Sequence, residues 1–196
     1  MVTSLLKPFN QSCNMQDIQA LSGLYEKQVS RLIEENIEGL TFYVKQEAFS
    51  HMTISAAFWH GDLYWNIWNK NGSKFEPHTR LSHDEFIVED VYFNNDEATL
   101  KLRAVYAKWN EATANDEDDE EDDNGEHLFS RLIRQSHQAL AIAFHSDTVT
   151  QQLMSILVQN PNFEAAQFNQ VIRVEDPDGQ FEFNFLDITG NNINQK

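Results

Sequence analysis

The stretch from Met52 to Trp109 constrains the fold most. Phe58, Trp59, Tyr64, Trp65, Trp68, Phe86, Tyr92, Phe93, Tyr106 and Trp109 recur there in short apolar runs separated by turn residues. Runs of that length, rich in aromatic and β-branched residues and bounded by turns, predict the strands of an antiparallel sheet. Thr53 to Trp59 and Leu63 to Trp68 make the first pair, joined by His60-Gly61-Asp62. In the second run Leu63, Trp65 and Ile67 share one face, and Tyr64, Asn66 and Trp68 share the other. The first set is expected in the core. Tyr64 and Trp68 are expected nearer the surface, as a partner or ligand patch, although a register slip of one residue would exchange the two sets.

Asn71-Gly72 is the strongest turn signal in the chain, since both residues tolerate positive φ. Lys74 to Glu76 would return from it before Pro77 breaks the ladder. Glu85 to Phe93 and Ala98 to Trp109 are expected as the next strand pair. In the latter, Leu100, Leu102, Ala104 and Tyr106 alternate with Lys101, Arg103 and Val105, as a sheet with one wet face requires.

Helical spacing flanks this region. Asn14 and Asp17 form an amino-terminal cap signal, followed by Ile18, Leu21, Tyr25, Val29, Leu32 and Asn36 at intervals of three or four. Gly39 marks a stop, and Leu40 to Val44 reads as a short strand. His127 to His145 carries a broad apolar stripe through Leu128, Leu132, Ser136, Ala139 and Ala143. Ser146-Asp147 starts another helix, with Val149, Leu153, Ile156 and Leu157, that ends near Asn160-Pro161. Val171 to Glu175 and Gln180 to Ile188 bracket the turn Asp176-Pro177-Asp178-Gly179 and predict a closing hairpin, with Phe181, Phe183 and Phe185 on its core face. The expected fold is α+β: an antiparallel sheet, a meander plus a carboxy-terminal hairpin, packed on one face by about three helices. Its length suits a single domain over residues 1–196.

The acidity is lopsided. Asp and Glu number 31 against 14 Lys and Arg, for a formal charge of −17. Eight acids are consecutive: Asp116, Glu117, Asp118, Asp119, Glu120, Glu121, Asp122 and Asp123. Taking their charges from −17 still leaves −9, so the acidity belongs to the whole chain. The surrounding 111–126 has nothing to bury and repels itself, which predicts a flexible acidic insertion. A field of this sign repels phosphate backbones and anionic membranes and attracts basic partners. Direct nucleic-acid binding is therefore disfavoured, while mimicry of nucleic acid is not.

The remaining chemistry is thin. With Cys13 alone, no disulfide within the chain and no cysteine-based zinc site can form, and a reducing compartment fits. The start of the chain lacks the basic and apolar regions of a secretory signal, and no apolar run approaches a membrane span. A cytoplasmic location without membrane attachment is expected. The glycines are too widely spaced for a phosphate-cradling loop, a dinucleotide fingerprint or a serine nucleophile elbow. A hand-type calcium loop through Gly125 would place Arg131 where a bidentate carboxylate must stand. His78 and His83 with Asp84 and Glu85 lie in one loop, but without a helical histidine pair they give no zinc motif. His137, beside an apolar helix face, reads as a hydrogen-bonded core histidine. No catalytic residue, metal site or cofactor is assigned.

In composition alone the chain resembles bacterial immunity and antitoxin-type inhibitors. The resulting expectation is a non-enzymatic acidic interaction protein that binds a basic protein partner, with Tyr64, Trp68 and the run Asp116 to Asp123 as its binding residues. A small-ligand-binding protein or enzyme, with a pocket lined by Trp59, Tyr64, Trp65 and Trp68, stands second. A nucleic-acid mimic stands third. The oligomeric state is left open.

Overall fold

The computed structural model describes residues 15–59, 62–75, 85–87, 97–114, 127–176 and 178–188; of Met15, Gln16, Asp62, Tyr64 and residues 85–87 it describes the backbone only. The fold is α+β. In chain order come helix α1 (Met15–Val44), strands β1 (Phe49–Ala57), β2 (Asp62–Asn69) and β3 (Glu85–Ile87), and helices α2 (Glu97–Ala114), α3 (Leu128–Phe144) and α4 (Asp147–Leu157). A 3-10 turn (Ala165–Gln167) runs into the short helix α5 (Phe168–Val171), and strand β4 (Ile172–Val174) follows.

The sheet order is β3-β2-β1-β4. β1 pairs antiparallel with β2, and β2 antiparallel with β3, whereas β4 lies parallel to β1. The sheet is therefore mixed. Met52, Ile54 and Ala56 of β1 stand opposite Ile67, Trp65 and Leu63 of β2, and Ile172 and Val174 of β4 flank Met52 and Ile54. All eight are buried. Strand alternation puts them on one face, where the helices cover them: α3 packs on β1, and the Phe144 ring meets Trp65 edge-on at 6.2 Å. The Trp65 indole N–H, shut away from water, donates to the Met52 sulfur at 3.3 Å.

Helix α1 is the hub of the helical layer and packs on α3, α4 and α2. Its buried residues Leu21, Tyr25, Val29, Leu32, Ile33, Leu40, Tyr43 and Val44 keep helical spacing beyond Gly39. That continuity corrects the expected strand at Leu40 to Val44: β-branched and aromatic residues there extend the helix face, because tertiary burial outweighs intrinsic propensity. Asn160 fixes the end of α1, its side-chain amide donating to the Val44 carbonyl at 2.7 Å. Ser146 caps α4 by accepting from the Val149 N–H.

Two further expectations are overturned. Ala98 to Trp109 is helical, and its buried residues Ala98, Thr99, Leu102, Tyr106 and Trp109 recur at one, three or four positions. Leu100, which strand alternation turned inward, is 48% exposed. The closing hairpin is not formed either, because β4 pairs in parallel with β1 and residues 180–184 are not a strand. The Asp176 carboxylate instead gathers the N–H groups of Asp178, Gln180 and Phe181, and this wraps the chain into a compact loop. The loop leads into a helical turn over 185–188. Within the phenylalanine stripe Phe185 is buried, Phe181 is half-buried and Phe183 is 40% exposed. Asn184 closes the sheet margin, its side-chain oxygen accepting the Val174 N–H at 2.9 Å. Of the expected strand Glu85 to Phe93, Glu85–Ile87 is a strand and the rest lies outside the described residues.

Between β1 and β2 the turn begins earlier than expected. β1 ends at Ala57, with Phe58 and Trp59 in the turn. The Asn71-Gly72 signal forms a tight return: Asn69 N–H donates to Ser73 O at 2.8 Å and Gly72 N–H to Asn69 O at 3.0 Å. Gly72 sits at φ 75°, where a side chain would strain the backbone. No helix of the described residues is long and apolar enough to cross a membrane.

Candidate functional site: the polar face of the sheet

The register that buries Trp65 places His51, Thr53 and Ser55 of β1, Asn66 and Trp68 of β2, and Arg173 of β4 on the opposite face. His51 stands opposite Trp68, and Thr53 lies between Asn66 and Arg173. Trp68 is half-buried, and its indole N–H donates to the Thr53 hydroxyl at 2.9 Å. Its ring lies parallel to the His51 imidazole, with centroids 5.8 Å apart. The Lys74 ammonium stands 5.7 Å from the Trp68 ring, brought there by the bridge between Trp68 and Lys74. Trp68 is therefore held on two sides by the fold, and only part of its surface is open to a partner.

Burial, and secondarily the charge of Arg173, hold His51 below the usual histidine range, so the imidazole is neutral at neutral pH. The Ser50 hydroxyl lies 3.0 Å from its Nδ1. Arg173 pairs with Glu175 at 3.0 Å, and the Ser55 hydroxyl donates to the Glu175 carbonyl. The side-chain oxygen of Asn66 is buried with no hydrogen-bond partner among the described residues. On a chain of −17, this face carries cations, an indole and a neutral imidazole, a surface suited to stacking and polar contact.

Of the residues expected to bind, Trp68 is placed here. Tyr64 stands opposite Ser55 in the register, and its side chain lies outside the described residues, as do Asp116, Glu117, Asp118, Asp119, Glu120, Glu121, Asp122 and Asp123. The expected pocket of four aromatics does not form from its described tryptophans. Trp65 and Trp68 face opposite sides of the sheet, and Trp59 packs on Phe58 and Phe129. Sequence reasoning missed His51, Thr53, Lys74 and Arg173. Only the cross-strand register joins them to Trp68, and Arg173 arrives by a parallel pairing that local sequence does not encode.

The acids tell a different story. Among the described residues Asp17, Glu34, Glu35, Glu38 and Glu47 are exposed along or just after α1, while Asp176 is buried as a loop anchor. A shallow cleft of about 460 Å³ beside α1 is lined by Glu26, Lys27, Ser30, Arg31, Glu34, Glu35 and Thr148. Its charges are mixed, and Arg31 pairs with Glu35 at 2.7 Å. Among the described residues no three His, Cys, Asp or Glu side chains gather as a metal site would need. His78 and His83 lie outside that set. His137 is a buried core residue, as its sequence position suggested. Its Nδ1–H donates to the Ile133 carbonyl at 2.8 Å, its Nε2 accepts the Ala56 N–H at 3.4 Å, and its ring stacks on Phe185. Compared with models of known protein families, with curated proteins and with solved structures, the chain matches none.

Proposed function

We propose that the protein is a non-enzymatic acidic interaction protein that binds a basic protein partner, in the manner of an immunity or antitoxin-type inhibitor. The observation that carries this reading is the charge of −17, of which −9 remains outside the run Asp116 to Asp123. Exposed carboxylates along α1 support it, because a rigid helix presents charge in a fixed array that steers a cationic partner and speeds association. The single cysteine supports a reducing compartment, the cytoplasm. Affinity capture with the full chain, followed by identification and purification of what binds, tests the reading. A basic protein that elutes with salt and rebinds when purified is the expected result. Recovery of acidic or neutral proteins alone, at low and high salt alike, overturns it.

A second reading, a small-ligand-binding protein, is favoured by one arrangement, the neutral His51 stacked on Trp68 beside Lys74 and Arg173. Quenching of tryptophan fluorescence by a panel of planar anions, abolished in Trp68→Phe, would support it over the first.

A further inference from the structure

We propose that His137 is a pH-operated latch: a proton on its ring releases the carboxy-terminal segment, residues 178–188, from α3 and the sheet margin while the rest of the fold stays intact. The neighbours of the ring fix its state. His137 is fully buried. The Ile133 carbonyl, 2.8 Å from Nδ1, can only accept, so Nδ1 carries the hydrogen. The Ala56 N–H, 3.4 Å from Nε2, can only donate, so Nε2 must present its lone pair. Together these two backbone groups demand the neutral ring. A proton on Nε2 would set two N–H groups against each other and leave a charge away from water.

Other groups around the ring decide how strongly the proton is resisted. On α3 the Ser136 hydroxyl, 3.3 Å from Nδ1, is committed to the Ile133 carbonyl at 2.8 Å. At the end of β4 the Glu175 carbonyl favours the charged form, but it already accepts from Ser55. Among the described residues the charges acting on the ring are those of Asp176 and Asp178, and Asp176 is engaged by three N–H groups of its own loop. Burial outweighs these attractions and keeps the ring neutral at neutral pH.

The layer over the ring is thin. Phe185 stacks on it, with centroids 5.2 Å and planes 29° apart, and Phe183, 40% exposed, lies against Phe185 at 4.8 Å. From 178 to 188 only Asn184, Phe185 and Leu186 are buried. The segment is otherwise tied by the Ser130 hydroxyl to the Gln180 side-chain oxygen at 2.9 Å and by His145 Nε2–H to the Leu186 carbonyl at 3.2 Å. Asn184 adds bonds to the Val174 N–H and the Asn169 carbonyl. Lifting this segment hydrates a charged His137 at the expense of three buried residues, whereas reaching the ring from the other side means parting α3 from β1. Local opening takes the lesser cost. It frees the Val174 N–H at the outer edge of β4, which the neutral protein keeps covered.

Hydrogen exchange of the full chain, read by mass spectrometry with the intrinsic pH dependence of exchange divided out, tests the latch. One proton taken up on opening should make the open fraction of residues 178–188 grow by about tenfold per pH unit below 6.5, until the folded ring itself takes the proton. Peptides of α1 and β2 should keep their protection over the same range. The dependence should vanish in His137→Gln and persist in His51→Gln and in His145→Gln, because the His145 bond to Leu186 survives protonation. Should His137→Gln fail to fold, the wild-type onset decides: one near 6.5 belongs to a histidine, while one that begins only near pH 4 belongs to a carboxylate and overturns the latch. Acid opening that persists in a folded His137→Gln assigns the trigger to the Asp176 carboxylate and also overturns it. So does protection lost from every peptide at once, which is global unfolding, and so does a segment that stays protected throughout.

Discussion

The phenol oxygens of Tyr25 on α1 and Tyr106 on α2 meet at 2.5 Å in a buried seam between the two helices. Nearby in the same seam the Gln28 amide donates to the Thr99 hydroxyl at 3.1 Å. Both pairs are hydrogen-bonded, as buried polar groups must be if they are not to cost the seam its stability. Burial holds the Tyr25 phenol well above its ordinary range, against a smaller opposing effect of the bond from Tyr106.

Tyr25→Phe should therefore lower stability by about 1 to 2 kcal/mol in urea unfolding, since it removes one hydrogen-bond partner of a buried phenol. Its pH dependence has a definite sign. The folded state keeps the proton above the ordinary value of 10.0 while the unfolded chain releases it, so the wild type loses stability as pH rises past that value. In Tyr25→Phe that alkaline loss should be shallower. Parallel wild-type and variant curves above pH 10 would contradict the burial of Tyr25.

Trp65 and Trp68, three residues apart on β2, face opposite sides of the sheet. Trp65→Ala should cost about 3 to 5 kcal/mol, as aromatic truncation in a core does. Trp68→Ala should cost less, because the half-buried ring gives up one hydrogen bond to Thr53 and part of its packing. Unfolding midpoints compare them, and a larger loss for Trp68→Ala would mean that the two faces are exchanged.

His137 predicts an acid limb. Burial is the main cause holding it below the usual histidine range, opposed by its bond to Ile133 and the nearby Asp176. The unfolded chain therefore takes up a proton first, and the stability contributed by neutral His137 is present above pH 6.5 and lost as pH falls through its folded-state value. His51, also held low, acts in the same direction. His137→Gln should be less stable at neutral pH, with a flatter acid limb than His51→Gln. An unchanged acid limb in His137→Gln would contradict a buried neutral imidazole.

Deleting Asp116 to Asp123 should change stability by only some tenths of a kcal/mol. The run carries no apolar side chain, shortening the chain by eight residues changes closure entropy little, and the mutual repulsion of its charges disappears. Thermal unfolding of the deletion variant measures this. A loss of several kcal/mol would show that the run is packed or holds a cation.

Helices α3 and α4 were legible because one period dominates each of them, and strands β1 and β2 because turn residues bound their apolar runs, although β1 spans Phe49–Ala57 and not Thr53 to Trp59. The inward set Leu63, Trp65 and Ile67 is buried as alternation required. Ala98 to Trp109 supports two periods at once: Leu100, Leu102, Ala104 and Tyr106 alternate, while Ala98, Leu102, Tyr106 and Trp109 also fit a helix face. Its Ala, Leu, Lys and Arg content favours the helix, and packing against Tyr25 and Gln28 selects the face that is buried. The hairpin expectation at Asp176-Pro177-Asp178-Gly179 failed for a different reason. The turn is present, with Gly179 at φ 70°, but β4 finds its partner in β1, some 120 residues earlier. Of the candidate site, Trp68 was legible from alternation, whereas its neighbours His51, Lys74 and Arg173 follow from register and parallel pairing that no short window contains.

If charge drives recognition of a basic partner, as proposed, salt must act on the rate of encounter. The most direct measurement is the association and dissociation rates of the purified pair as salt is raised from about 0.05 to about 0.5 M, over which the screening length falls from beyond 10 Å to a few ångströms. The association rate should drop by about tenfold or more while the dissociation rate changes far less. An association rate that stays constant across that range would contradict it.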